Sequence, residues 1–173
     1  MQGLSSWGGV IGCKQEDDEG GAIIEGTKLV GWDNPKGVIR IPDGVTVIGN
    51  SALSEQTEIT GVIIPSSVLT IKEDAFDKCT SLGSVTFEGN GLRTIEKYAF
   101  CHCISLTSIQ LPDSIVSIEV RAFSNCSNLT SAVVPGDNWI FSNEAVRNDI
   151  GVITTDKLMM YEGWWGSFTR TIE

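Results

Sequence analysis

The chain has 173 residues, of which 41% are hydrophobic and 20% charged, with a net charge of −10. That length supports one domain with its own core. An acidic surface repels nucleic acid and anionic membrane, so neither is an expected partner, and no apolar run approaches the ~20 residues that a membrane span needs.

Residues 1–37 read as an N-terminal cap. Residues 7–13 are apolar and suit a cap strand. The acidic loop 14–21 follows; it lacks the alternating oxygen spacing of a calcium loop and reads as a solvated turn. Ala22-Ile23-Ile24 and Lys28-Leu29-Val30-Gly31-Trp32 then flank Glu25-Gly26-Thr27, a hairpin signal.

Residues 38–135 repeat themselves about four times. Pro42, Pro65, Pro112 and Pro135 mark the register. Ala75-Phe76, Ala99-Phe100 and Ala122-Phe123 recur, with Ala52-Leu53 as the degenerate first copy. Cys79, Cys103 and Cys126 share one position, taken by Gln56 in the first copy. Leu82, Leu106 and Leu129 share another, with Ile59. The period is 23 or 24 residues, which marks a solenoid. Within a copy, Ile71, Ala75, Phe76, Cys79 and Leu82 fall on one face of a short helix. Leu82, Val85 and Phe87 then take strand spacing, and a proline usually ends the strand. The expected fold class is α/β: stacked coils of strand plus short helix, closed at both ends by β-hairpins. With stacked strands ~4.8 Å apart, the coils make a short rod.

The motif L-x-x-V-x-[LF]-P, followed by V-x-x-I and A-F-x-x-C-x-x-L, resembles the BspA-like leucine-rich repeat family over residues 41–135. The departures are Leu53 and Gln56 in the first coil and Glu88-Gly89 in place of the third proline. Members of that family are mostly surface or secreted proteins that act by contact with other macromolecules. The resemblance implies a non-enzymatic protein-interaction module in adhesion or recognition, at the cell surface or secreted, with a protein partner and no cofactor.

Residues 136–173 read as a C-terminal cap. Val152-Ile153 and Leu158-Met159-Met160-Tyr161 flank another hairpin signal. All five tryptophans, Trp7, Trp32, Trp139, Trp164 and Trp165, lie outside the coils, where large rings can close the ends of an apolar core. Trp164-Trp165 is a candidate docking surface. It supports a second function class: an assembly component of a larger particle, with self-association through the tail.

The candidate partner face is the outward row of the strands: Thr60 and Ile63, Ser84 and Thr86, Ser108 and Gln110, Ser131 and Val133. Small hydroxyl residues there suit either partner binding or a plain solvated sheet. Cys79, Cys103 and Cys126 read as buried, reduced core residues, and five cysteines without framework spacing do not make a disulfide scaffold. Cys101-His102-Cys103 looks like a ligand cluster. Its register opposes that: Cys101 matches Asp77 and Ser124, and His102 matches Lys78 and Asn125, all expected to face outward, whereas Cys103 faces in. No metal site is therefore expected, and Cys101 should be the more accessible thiol. His102 is the lone histidine, and no base oriented by a third group is expected beside Cys101, so no enzyme is expected. Val10-Ile11-Gly12-Cys13 resembles a lipoprotein attachment box, but no Lys or Arg precedes it. The sequons at Asn125 and Asn128 read as incidental.

Overall fold

In the computed structural model, residues 21–133 are described, together with the strand segments 139–141, 153–154 and 168–170. The elements in chain order are β1 (Ala22–Glu25), β2 (Lys28–Trp32), β3 (Gly37–Arg40), β4 (Val47–Ile48), β5 (Ile59–Ile64), β6 (Thr70–Ile71) and β7 (Ser84–Phe87). They continue with β8 (Thr94–Ile95), β9 (Ser108–Gln110), β10 (Ser117–Ile118), β11 (Ser131–Val133), β12 (Trp139–Phe141), β13 (Ile153–Thr154) and β14 (Phe168–Arg170). Each coil lays down one longer strand and one of two residues. The longer strands form two parallel sheets, β3-β5-β7 and β9-β11-β13, and the short ones join an eight-stranded sheet in the order β1-β2-β4-β6-β8-β10-β14-β12.

The stack keeps each inward side chain directly over its counterpart. Ile48, Ile71, Ile95 and Ile118 align through the ladders of β4, β6, β8 and β10 and are all buried. Leu82, Leu106 and Leu129 form another buried file beginning at Ile59. The phenylalanines stack: Phe76 and Phe100 have ring centroids 4.9 Å apart and planes 3° apart. Phe100 and Phe123 follow at 5.3 Å and 2°. Those separations are close to the spacing of neighbouring strands, so coil stacking sets them and an offset aromatic stack results. Leu53 fills the same place in the first coil and is fully buried.

The expected short helix is absent among the described residues, and a string of turns replaces it. The reason lies in where alternate N–H groups point. In the second coil, Ala75, Asp77 and Cys79 donate three residues back, to Lys72, Asp74 and Phe76, while Asp74, Phe76 and Lys78 donate to Lys97, Ala99 and Cys101 of the next coil. The first and third coils repeat the alternation. An α-helix would send every one of these donors four residues back. Left-handed residues enforce the pattern: Ser51, Asp74, Tyr98 and Arg121 share one register position and Glu55, Lys78, His102 and Asn125 another, with φ from +53° to +63°. The apolar spacing is shared by both geometries, because Ala75, Phe76 and Cys79 still reach the core, each with 0% exposure.

The two ends close differently. The expected N-terminal hairpin is β1–β2, antiparallel, with Gly26 at φ +62° in its turn. There β2 also pairs in parallel with β4, and Trp32 packs partly buried against the core. At the other end β13, the first strand of the expected C-terminal hairpin, pairs in parallel with β11 and so extends the stack. The short-strand sheet is finished by β14 and β12, both antiparallel. Leu158-Met159-Met160-Tyr161, like residues 7–13, lie outside the described residues.

Two substitutions test this architecture. Phe100→Ala should cost about 3–5 kcal/mol in urea unfolding, because the ring is enclosed between two others; a cost under about 1 kcal/mol would show the file is not packed. Ser51→Gly should leave stability within about 0.5 kcal/mol or raise it, since glycine takes positive φ freely. Ser51→Pro should cost about 3 kcal/mol or more, by fixing φ negative and removing the donor to Glu73. A helix would give a different signature for the glycine change, a loss of about 1 kcal/mol.

Candidate functional site

From Gly61 onward the outward face of the longer strands follows the alternation of β-structure; Thr60 falls at the register shift where Gly37 pairs with Ile59 and Val38 with Gly61. Thr60, Ser84, Thr86, Ser108 and Gln110 are exposed and Ile63 is half-buried. Val133 is 40% exposed. Ser131 sits on the same sheet by register with Ser108. The ladders turn these residues into columns. Arg40, Ile63 and Thr86 form one; Val38, Gly61 and Ser84 form a second. Gln110 and Val133 align in the other sheet.

Two members of the face escaped the sequence reading because they precede the clear repeats. Val38 is 65% exposed, and it closes over Gly61: a Cβ on that glycine would lie 2.7 Å from Ser84 Oγ and 3.2 Å from Val38 Cγ2. Arg40 donates to Asp43 Oδ1 at 3.0 Å and to Glu88 Oε2 at 2.8 Å. These pairs are exposed and add little to stability, but they fix the guanidinium at the edge of the face.

The face is interrupted. Strands β7 and β9 are adjacent without forming a ladder. The step from Phe87 to Leu92 holds one residue more than the matching steps from Ile64 to Val68 and from Leu111 to Ile115. The extra residue falls where Glu88-Gly89 replaces proline, with Gly89 at φ +79°. A cavity of about 440 Å³ opens there, between Thr86, Phe87 and Asn90 on one side and Gln110, Pro112 and Asp113 on the other.

A second cluster forms on the turns, and it corrects the outward placement of Cys101. Cys101 is buried, 4% exposed, and Ser124 of the same register is 6% exposed. Asp77, below Cys101, keeps 17% of its side chain exposed, and His102 keeps 44%. His102 Nδ1 lies 3.1 Å from Cys101 Sγ and 3.1 Å from Asp77 Oδ1. Its Nε2 lies 2.9 Å from Asn125 Nδ2 of the following coil. Cys101 and His102 thus converge with Asp77, not with Cys103.

The arrangement places a base and an orienting group beside a thiol, which the sequence did not suggest. It does not activate that thiol. Cys101 and Asp77 both address Nδ1, whereas a relay needs the two ring nitrogens to serve the nucleophile and the orienting group separately. Burial first, then the Asp77 charge, pushes the Cys101 thiol up to about 12, the reverse of what a nucleophile needs.

The other cysteines are structural. Cys79, Cys103 and Cys126 have 0% exposure. Each thiol donates to a carbonyl one coil back: Cys79 to Leu53 at 3.0 Å, Cys103 to Phe76 at 3.3 Å and Cys126 to Phe100 at 3.0 Å. Burial pushes Cys79 up to about 12; the adjacent Cys126 thiol and burial raise Cys103 further. Trp164 and Trp165, the candidate docking surface of the tail, lie outside the described residues, as does Cys13. Among the described residues no helix is long and apolar enough to cross a membrane.

Parallel coils with vertical files of Leu, Ile, Phe and Cys define a leucine-rich repeat solenoid. Residues 37–152, more than half of the chain, match the BspA type leucine rich repeat region in six copies. The chain belongs to the BspA-type leucine-rich repeat family. Solved structures agree. A leucine-rich repeat protein of Bacteroides capillosus is 30% identical with a TM-score of 0.56, covering 68% of this chain and 93% of that one. A leucine-rich cell surface protein of Faecalibacterium prausnitzii is 29% identical with a TM-score of 0.59, covering 62% and 29%. The leucine-rich repeat protein of T. pallidum is 26% identical with a TM-score of 0.51, covering 62% and 63%. The chain therefore spans less than two thirds of the last two proteins. No curated protein matches.

Thiol chemistry should follow from burial. At pH 7 a thiol with a pKa near 12 is ionised in only about one molecule in 10⁵, so iodoacetamide should leave Cys79 and Cys101 unlabelled in the native protein, and Cys103 and Cys126, with 0% exposure, should be shielded by burial. All four should react in urea. Peptide mapping reads the result; labelling of Cys103 ahead of Cys101 under native conditions would overturn the register.

Proposed function

We propose that this chain acts by contact with another protein, in recognition or adhesion at a cell surface, through the outward face of its longer strands. The observation that carries this reading is a set of outward-facing apolar side chains, each in its own column among polar and small neighbours. Val38 is 65% exposed and Val133 40%, with Ile63 half-buried between Arg40 and Thr86. Regular solenoid faces offer partners an extended, pre-ordered surface, so little ordering entropy is lost on docking. The repeat family and the similarity to a cell surface protein of Faecalibacterium prausnitzii support the same reading. At the Cys101–His102 pair, burial and then the Asp77 charge raise the thiol, the opposite of what a nucleophile needs.

The chain's own register supplies mild test substitutions. Ile63→Thr copies its neighbour Thr86, Val38→Ser copies Ser84 in the same column, and Val133→Thr keeps a β-branched side chain. A partner captured with the native chain should bind the triple variant at least about ten-fold more weakly, which is about 1.4 kcal/mol. The variant's unfolding midpoint should stay unchanged. Equal affinity for both proteins would move the contact off this face.

A further inference from the structure

We infer that Asp77, Cys101 and His102 form a divalent-metal site of zinc-binding type that clasps neighbouring coils. The three offer one carboxylate oxygen, one sulfur and one imidazole nitrogen, all within 4.8 Å of one another. A tetrahedral Zn²⁺ with ordinary bond lengths sets N···O edges of about 3.3 Å and N···S edges of about 3.6 Å. The Nδ1···Oδ1 and Nδ1···Sγ distances here are both 3.1 Å, so these two edges need to open by only a few tenths of an ångström to admit the ion, while the sulfur and the carboxylate oxygen lie within 4.8 Å of each other. The mixed sulfur, nitrogen and oxygen set suits zinc and not the oxygen-seeking Ca²⁺ or Mg²⁺. A water takes the fourth position, on the side where 44% of the His102 side chain is open.

The charges balance. A thiolate, a carboxylate and a neutral imidazole cancel the two charges of the ion, and the thiol proton leaves to solvent as the Zn–S bond forms. Lys78 Nζ stands 3.9 Å from Asp77 Oδ2, but it is engaged by Glu55 at 2.7 Å. The support behind the ring is also in place. Asn125 meets His102 Nε2 at 2.9 Å, and turning its amide over lets the carbonyl oxygen accept from Nε2–H, leaving the Nδ1 lone pair for the metal. Asp77 and the Cys101–His102 pair come from successive coils, so the metal joins two coils directly and, through His102 and Asn125, engages a third. This inference stands apart from the proposed partner face and does not require it.

The repeat supplies substitutions that keep the fold. Cys101→Ser places in this coil what Ser124 places in the next, buried. His102→Asn copies Asn125, which holds φ +58° against +59° for His102. The probe is Co²⁺ added to the full chain in a Cys13→Ser background, followed by displacement with Zn²⁺. One equivalent should give tetrahedral d–d bands with a thiolate-to-cobalt charge-transfer band, and Zn²⁺ should raise the melting temperature. Cys101→Ser should lose the charge-transfer band, and His102→Asn should lose both the band and the thermal shift. Asn125→Ser should weaken binding about 10–100-fold, the usual effect of removing a partner behind a ligand. Absence of a charge-transfer band at one equivalent would overturn the site, as would its persistence in Cys101→Ser or an unchanged zinc affinity in His102→Asn.

Discussion

The structure depends on an alternation of hydrogen bonds in the turns. One N–H closes a local turn and the next reaches the carbonyl of the following coil, as at Ala75 and Phe76. A helix satisfies its donors internally and leaves its neighbours to be held by side chains alone. Here half of the turn donors bind coil to coil, so the turn side of the solenoid is tied by backbone just as the strand side is. Buried backbone groups must be paired, and this arrangement pairs them between coils. The close spacing of the phenylalanine rings and the thiol donation by the cysteines follow from it. A looser turn side would separate the rings of Phe76 and Phe100 beyond 4.9 Å, and would draw Cys103 away from the Phe76 carbonyl.

Vertical register also explains where chemistry can arise. Inward files must keep apolar groups of matching size, because a change of even a methylene is felt in a packed core. The turn columns beside them carry polar side chains as well. One holds Ser54, Asp77, Cys101 and Ser124, and the adjoining one holds Glu55, Lys78, His102 and Asn125. Since each residue stands over the next, two polar residues in adjacent coils become a side-chain contact. That is how Asp77 meets Cys101 and His102, at a distance of 24 or 25 residues along the chain. Ion pairs between coils arise in the same way, as with Lys72 and Glu96 or Lys97 and Glu73.

Much of the fold was legible because repetition shows which positions are equivalent. The Ala-Phe pair and cysteine placed the three clearest coils, and the phenylalanine file follows from that register; the strand β13, which extends the stack, carries none of these marks. The helix was the error, and its cause is specific. The spacing of Ile71, Ala75, Phe76 and Cys79 serves a helix face and a string of turns equally well. Positive φ would have told them apart, but only Asn125 among the eight left-handed residues of the coil turns belongs to a type that favours it, with Asp74 and His102 as weaker hints. Tyr98, Arg121, Lys78 and Glu55 adopt it because the stack offers no other path.

The same limit governs the sites. On β7 and β9 the outward positions were readable, since alternation gives each residue one of two faces; on β5 the register shift at Thr60 breaks it. On the turns there are more than two environments. Polar residues at the register of Asp77 and Ser124 suggested solvent, yet Ser124 is buried, and Asp77 points along the stack toward His102. A polar residue can be there because its neighbour above or below is polar. Polarity in a solenoid thus reports on the column as well as on the solvent, and a residue such as Cys101 must be read against the coils on either side before its exposure is assigned.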